Sequence, residues 1–466
     1  MRIALPRELR DLAYLASELG SSPSDRLMGE VGGIATDSRE VLPGDLFVAI
    51  KGEHYDGNCF ARKAFAAGAV AVLSDVADIG QTAGPVLWVK EVKSALLRAA
   101  ERHRKRLGAH VTAVSGSSGK TTVKEAVAAL LSSRYRVEKS AGNFNSTVGM
   151  PLSLLSMGSG THLVLELGIN RVGEMEALSR ACSPDLAILT NVGTAHIGNF
   201  GDYTTLLFEK AALGKHVMSN GAFLVPYELP PAFFEQTPAT LYRMGEHSRA
   251  DFRAEKIVNC SKYVGADLVC PDRVITNLKW PIPGRVGVSN ILAVGAVGYL
   301  MGLEDEEIRR GLSLAGQSTP RARAIEVGER ILIDDTYNAS PEAVIGAIES
   351  LSLRAGGRPC VAVLGDMLEL GQYAAPLHEA VGEAAAGAGL AQLFLYGTEA
   401  TSSLARGARR GGMPEQSIHC FERSEREALC EAVCRLVPRR AAVLFKGSLA
   451  MGLSGALEEV RRRFEE

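Results

Sequence analysis

The chain has 466 residues, of which 46% are hydrophobic and 22% charged, with a formal net charge of −2. That length suits about three domains, and the balance is that of a globular protein rather than a disordered or fibrous one. The near-zero charge gives no electrostatic case for nucleic acid or an anionic membrane as the main partner, and no apolar run approaches the length of a bilayer span.

The first segment, MRIALPRELRDLAYLASELG, mixes charged and apolar residues at helical spacing and lacks the apolar core of a secretory signal. In VLPGDLFVAIKG (41–52) a Pro-Gly-Asp turn precedes a strand, and AGAVAVLSD (67–75) reads as a buried strand after a helix. The basic run Arg102-His103-Arg104-Lys105-Arg106 is expected to end a helix at a domain joint, with its charges on a solvated face. A first domain is therefore placed at 1–108. The eight cysteines are scattered without a C-x-x-C pair or metal-site spacing, although Cys430 and Cys434 fall one turn apart in an expected helix. They read as reduced thiols of a cytoplasmic protein.

A second domain is placed at 109–316. Its opening strand, VTAVS (111–115), runs directly into GSSGKTT (116–122) and then a helical stretch, VKEAVAALLSS. That order is the context a phosphate loop requires. The common pattern G-x-x-x-x-G-K-[ST] would place a glycine at Val114, so the loop is a shorter one that starts at Gly116. Gly116, Ser117, Ser118 and Gly119 would turn backbone N–H groups toward phosphates, at the N-terminus of a helix. Lys120 would neutralise phosphate oxygens, and Thr121, followed by Thr122, would offer a hydroxyl to Mg²⁺. HLVLELG (162–168) and DLAILTNVG (185–193) are continuously apolar and then turn polar, as buried parallel strands do before their ligand-binding ends. Glu166 ends the first of them, as a metal ligand or a surface acid. His196 follows the second, as a metal ligand or a structural histidine. Lys210 reads as an ordinary exposed helix lysine from its own stretch.

A third domain is placed at 317–466. Strands ILIDDTYNAS (331–340), CVAVLGD (360–366), LFLYG (393–397) and AVLFKGS (442–448) alternate with helical segments, which predicts a mostly parallel sheet. Asp334 and Asp335 could bind ribose hydroxyls or form a simple Asx turn, with Tyr337 and Asn338 flanking a base. Lys446 could reach a phosphate or carboxylate, although lysine is common at strand ends.

The ordered stretches TDSREVLPGDLFVAIKGEHYDG (36–57), GSSGKTT, GNFNSTVGMPLSLL (142–155), ELGINRVGEME (166–176), TNVGTAHIGNFG (190–201), DDTYNASP (334–341), LGDMLELG (364–371) and VLFKGS (443–448) resemble the Mur ligase family over nearly the whole chain. The combination DDTYNASP with GDMLELG is similar to its dipeptide-adding branch. The resemblance implies an α/β fold of three domains: an N-terminal UDP-binding domain, a central phosphate-loop ATPase with a mostly parallel sheet, and a C-terminal Rossmann-like domain. It implies ATP as co-substrate, and UDP-N-acetylmuramoyl-tripeptide and D-alanyl-D-alanine joined through an acyl phosphate. Two Mg²⁺ ions would be held by Thr121, Glu166, His196 and a Lys210 that is carbamylated. Ser38 and Arg39 match the substrate-binding motif of the UDP-binding domain, and Asn143 and Asn145 match substrate- or nucleotide-facing positions. Asn290, Asp335, Tyr337, Asn338 and Arg321 match nucleotide contacts, with Arg323 an alternative to Arg321. A monomer is expected. The chain departs from the family's usual residues at Asn58, Ser146, Thr147, Thr194, Val286, Gly287 and Leu449. A folylpolyglutamate synthase-like ligase and a nucleotide-binding regulator are the rival readings.

Overall fold

The computed structural model describes residues 1–21, 28–52, 55–77, 79, 84–158, 160–315 and 322–466. They form three sheets, one after another along the chain. The first joins β1 (Arg2–Ala4), β2 (Gly33–Ala35), β3 (Asp45–Val48), β4 (Ala71–Ser74) and β5 (Val86–Trp88) in that order. Only the β1–β2 pair is antiparallel. The opening segment, whose residues fall at helical spacing, therefore starts with an edge strand. The helix begins later, at α1 (Leu12–Leu19), where Asp11 accepts a capping bond from Tyr14 N and Gly20 closes the C-terminus at φ +78°. Helix α2 (Ala61–Ala66) precedes β4, as read.

Helix α3 (Val92–Leu107) staples this unit to the next. Its basic run is only partly solvated, contrary to expectation. Arg102 donates to Ser17 O and Arg106 pairs with Glu18 on the N-terminal side. His103 and Arg104 are buried and turn the other way, bonding Met157 O, Cys182 O and Asp185. A run of like charges sits here because Arg102, His103, Arg104 and Arg106 find acceptors on one of two facing domains, while Lys105 pairs with Glu101 on the helix itself.

The central sheet contains β6 (His110–Ser115), β7 (Val137–Lys139), β8 (His162–Glu166), β9 (Leu186–Leu189), β10 (Ala222–Pro226), β11 (Thr240–Gly245), β12 (Phe252–Asn259), β13 (Val264–Val269) and β14 (Val274–Trp280). Their order is β14-β13-β12-β11-β10-β9-β6-β8-β7, with parallel pairing from β7 to β12 and an antiparallel extension of β12, β13 and β14. Strands β8 and β9 are buried at every residue, and β6 at all but its first. Helices α4 (Lys120–Leu131), α5 (Gly149–Ser156), α6 (Glu174–Cys182), α7 (Tyr203–Ala211), α8 (Arg285–Leu300) and α9 (Asp305–Ala315) cover the faces. The third sheet, β15 (Arg323–Val327), β16 (Arg330–Asp335), β17 (Cys360–Gly365), β18 (Gln392–Tyr396), β19 (Ile418–Phe421) and β20 (Ala442–Lys446), runs β15-β16-β20-β17-β18-β19 and is parallel beyond β15. Helices α10 (Pro341–Arg354) and α11 (Ala374–Gly387) follow β16 and β17. Among the described residues no helix is long and apolar enough to cross a membrane.

The amino ends of β6 and β8 carry His110 and His162, stacked at 5.3 Å, with Tyr135 3.9 Å from His162. Burial, then the neighbouring His110, pushes His162 down to about 4. A histidine whose folded pKa is depressed binds its proton more readily when unfolded, so its contribution is full above about pH 6.5 and is lost as pH falls toward 4. Acidification from pH 7 to pH 5 is expected to cost about 1–2 kcal/mol through this residue alone. Urea unfolding at the two pH values checks this. His162→Phe should reduce the difference by about 1–2 kcal/mol, leaving the part due to other histidines lowered by burial, such as His103 and His378, and an unchanged difference would exclude His162 as a source.

Candidate active site

Strand β6 ends at Ser115, and the chain turns through the glycine loop into α4. Gly116 has φ +146°, and a Cβ there would lie 2.0 Å from Thr190 Oγ1, so the close approach of the next strand requires glycine. The segment after β9 holds the loop in shape. Asn191 O accepts from Ser117 N at 3.0 Å, and Asn191 Oδ1 accepts from Ser118 N at 2.9 Å. Ser117 Oγ accepts from Gly193 N at 2.9 Å and donates to Gly193 O at 3.1 Å. Lys120 Nζ curls back to donate to Gly116 O at 2.8 Å and Ser117 O at 3.3 Å. Thr121 and Thr122 stand in the first turn of α4, half-buried.

Strand β8 pairs with β6 in register, Glu166 opposite Val114, which brings Glu166 to the same edge. Glu166 is buried; its Oε1 accepts from Asn145 Nδ2 at 2.8 Å, while its Oε2 accepts no hydrogen bond from the described residues. The surface-acid alternative is excluded. Asn143 is exposed, and its carbonyl accepts from Asn145 N. Ser146, one of the departures, has a use: its Oγ accepts from Gly149 N at the start of α5.

Lys210 lies in the last turn of α7 and is buried, not exposed as its own stretch suggested. Its Nζ is 3.3 Å from Gly116 O. Burial, with the Lys120 charge adding to it, drives its pKa well below that of a free lysine. Its neighbour Glu209 anchors the helix by accepting from Gly173 N and Met175 N at the head of α6.

His196 adopts the left-handed region at φ +63°, and its Nδ1 pairs with Glu369 of the C-terminal domain. Glu369 is itself left-handed at φ +64°. Two such residues in contact mark strain held by surrounding structure. The same face bears more contacts: Gly198 N donates to Glu369 O, Tyr373 OH donates to Gly201 O, and both Thr194 N and Thr194 Oγ1 donate to Glu342 Oε1 at 2.8 and 2.9 Å. Buried His378 pins the 367–373 loop, accepting from Met367 N at Nε2 and donating from Nδ1 to Ala374 O. Sequence reading missed Glu342, Glu369 and His378, although Glu369 lies inside the quoted LGDMLELG.

The remaining candidates divide. Asp335 and Asn338 meet through Lys446, whose Nζ donates to Asp335 Oδ2 at 2.5 Å and Asn338 O at 2.9 Å, and Tyr337 is partly exposed nearby. Asp334 makes the Asx turn, accepting from Thr336 N and Oγ1. A cleft of about 90 Å³ beside Thr190 is lined by Met244, Gly245, Val288, Ser289 and Leu292. Asn290 is buried on the same helix and does not line it. Arg321 lies outside the described residues; Arg323 is exposed at the start of β15. Ser38 and Arg39 follow β2 in the first domain, where Arg39 is engaged with Asp37. Asn58 bonds Ser74 Oγ and Asp56 there. Val286 and Leu449 are exposed, and Gly287 has no room for a side chain, with Ile282 O at 2.4 Å from a Cβ placed there. Nothing in the structure explains Thr147.

A phosphate loop with a buried acid and two lysines beside it, under a docked α/β domain, defines a three-domain nucleotide-phosphate enzyme. The chain belongs to the Mur ligase family. Family models match it as the Mur ligase family catalytic domain over 30–117, the Mur ligase middle domain over 114–298 and the Mur ligase glutamate ligase domain over 321–449. The UDP-N-acetylmuramoyl-tripeptide–D-alanyl-D-alanine ligase of Bacillus subtilis is 31% identical over 92% of this chain and 93% of its own. MurF from Acinetobacter baumannii is 26% identical with a TM-score of 0.87, covering 99% of this chain and 100% of that one. MurF ligase from Thermotoga maritima, solved in complex with ADP, is 27% identical with a TM-score of 0.79 over 93% and 97%.

Proposed function

We propose that this chain is a UDP-N-acetylmuramoyl-tripeptide–D-alanyl-D-alanine ligase that uses ATP and works as a cytoplasmic monomer. The γ-phosphate of ATP passes to the tripeptide's terminal carboxylate, giving an acyl phosphate and ADP. The dipeptide amine attacks the carbonyl carbon and loses a proton, and phosphate leaves from the tetrahedral intermediate. The observation that carries this reading is the convergence at one strand edge of Lys120, the bare Oε2 of Glu166 and the buried Lys210.

A carboxylate is a poor electrophile, and two anions must be brought together to activate it. Lys120 and the loop N–H groups offset charge on the phosphates. Thr121, Glu166, His196 and a carbamylated Lys210 are the residues that would hold two Mg²⁺ ions, which when bound supply further charge neutralisation. Among the described residues no three His, Cys, Asp or Glu side chains gather as a cage. That suits Mg²⁺, which takes few protein ligands alongside phosphate and water. The unpartnered oxygen of Glu166 fits such an ion. A buried, uncharged Lys210 amine is the form that adds CO₂, releasing one proton and becoming an anionic carbamate. The cleft beside Thr190 would take the adenosine end, with Asp335, Tyr337, Asn338 and Arg321 approaching from the C-terminal domain. Ser38, Arg39, Asn143 and Asn145 would face the UDP-linked substrate.

ADP release in a coupled assay should require both UDP-N-acetylmuramoyl-tripeptide and D-alanyl-D-alanine. Tripeptides ending in meso-diaminopimelate and in lysine form the two arms. No turnover with either pair would sink the reading in favour of another amide ligase or a regulator.

A further inference from the structure

Lys124 follows the phosphate loop by one helical turn and is completely buried. Its ammonium has three N–H groups, and three short contacts use them: Ser140 O at 2.9 Å, Gly142 O at 3.0 Å and Glu125 Oε1 at 3.1 Å. Glu166 Oε2 is 3.7 Å away, within ion-pair range but beyond a hydrogen bond. A buried carboxylate with no counter-charge is strongly disfavoured, whereas one whose lone pairs are all engaged has nothing to offer a ligand. Lys124 meets both conditions at once.

We propose that Lys124 is a positioning residue for phosphoryl transfer: its charge keeps Glu166 in the interior, while its spent N–H groups leave Oε2 available to a divalent cation beside the phosphate loop. The same ammonium ties the 140–145 segment to α4. Ser140 Oγ accepts from Glu166 N at 3.0 Å, and Asn145 holds Glu166 Oε1. Helix, loop and acid thus form one unit around a single cation. Without that cation the carboxylate turns outward to water and Asn145 loses its frame.

The inference rests on the ligase reading above, but ADP binding needs neither acceptor nor turnover, so the two can fail separately. Calorimetric ADP binding with and without Mg²⁺ is the test, on Lys124→Met, Glu166→Gln and the double variant. Mg²⁺ should tighten ADP binding to the parent protein. In Lys124→Met that tightening should fall about tenfold, the scale of lost support to a metal-ligating group, with Mg²⁺-free affinity preserved. The double variant should lose no more than Glu166→Gln alone, since Lys124 acts through Glu166. It removes both buried charges together, so it remains informative if Lys124→Met fails to fold. Full Mg²⁺ tightening in Lys124→Met, a further additive loss in the double variant, or an equal loss of Mg²⁺-free binding would each overturn the proposal.

Discussion

Lys120→Ala is expected to lower kcat for ADP release by about 10³-fold or more, which corresponds to about 4 kcal/mol of transition-state stabilisation. The side chain is half-buried and donates to two carbonyls of its own loop. Those carbonyls can return to water, so the variant should fold with a melting temperature near that of the parent. What is lost is a cation placed where phosphate charge develops. The loop N–H groups remain, so nucleotide binding should weaken far less than turnover. A variant with near-normal kcat would refute the role outright. Equal losses in ADP binding and turnover would instead show that Lys120 binds nucleotide without favouring the transition state.

Lys210→Ala should lower kcat by roughly 10²–10³-fold, with partial recovery when acetate or another small carboxylate is added. The reasoning starts from burial. Burial at this depth, with the Lys120 charge adding to it, drives the Lys210 pKa well below that of a free lysine and favours the uncharged amine, and among the described residues Gly116 O is its hydrogen-bond acceptor. Addition of CO₂, with loss of a proton, turns that amine into an anion, which the nearby Lys120 favours. Alanine opens a space at the same place that a free carboxylate can enter. Loss of activity without rescue would leave a structural amine, and no loss of activity would dispose of the carbamate altogether.

The sequence made some parts of this site readable and hid others for physical reasons. The shortened loop was legible because a buried strand must run straight into it, and Val114 is the last apolar residue of that strand. Glu166 was legible because a parallel strand puts its polar ending at the ligand edge. Lys124 was not, since a lysine in a helix usually faces water, and only its spacing of four from Lys120 gave a hint. Arg104 and His103 deceived for the same reason: a basic run reads as solvated until two domains are seen to supply acceptors. The antiparallel extension from 252 to 280 went unread because its strands mix polar and apolar residues without a continuous apolar run like those beside them. The pairing of His196 with Glu369 crosses 173 positions (369 minus 196), and no local pattern records a contact of that kind.

The segment from Thr190 to Gly201 serves as a wall for the phosphate loop on one side and as a landing surface for the C-terminal domain on the other. Gly193 and Gly198 are the points of closest approach: a Cβ at Gly193 would lie 2.6 Å from the Glu342 carboxyl carbon, and one at Gly198 would lie 2.5 Å from Gly371 N. Neither glycine has a functional group to contribute to catalysis. In a genetic screen, alanine at Gly198 would nonetheless look like a lost catalytic residue, because its methyl group would meet backbone of the C-terminal domain and act as a spacer between two halves of one reaction chamber, whereas at Gly193 the Glu342 side chain can swing aside. A drug-resistance or loss-of-function map of this chain is therefore best interpreted by asking first which substitutions change the gap between domains, and only then which remove a reacting group.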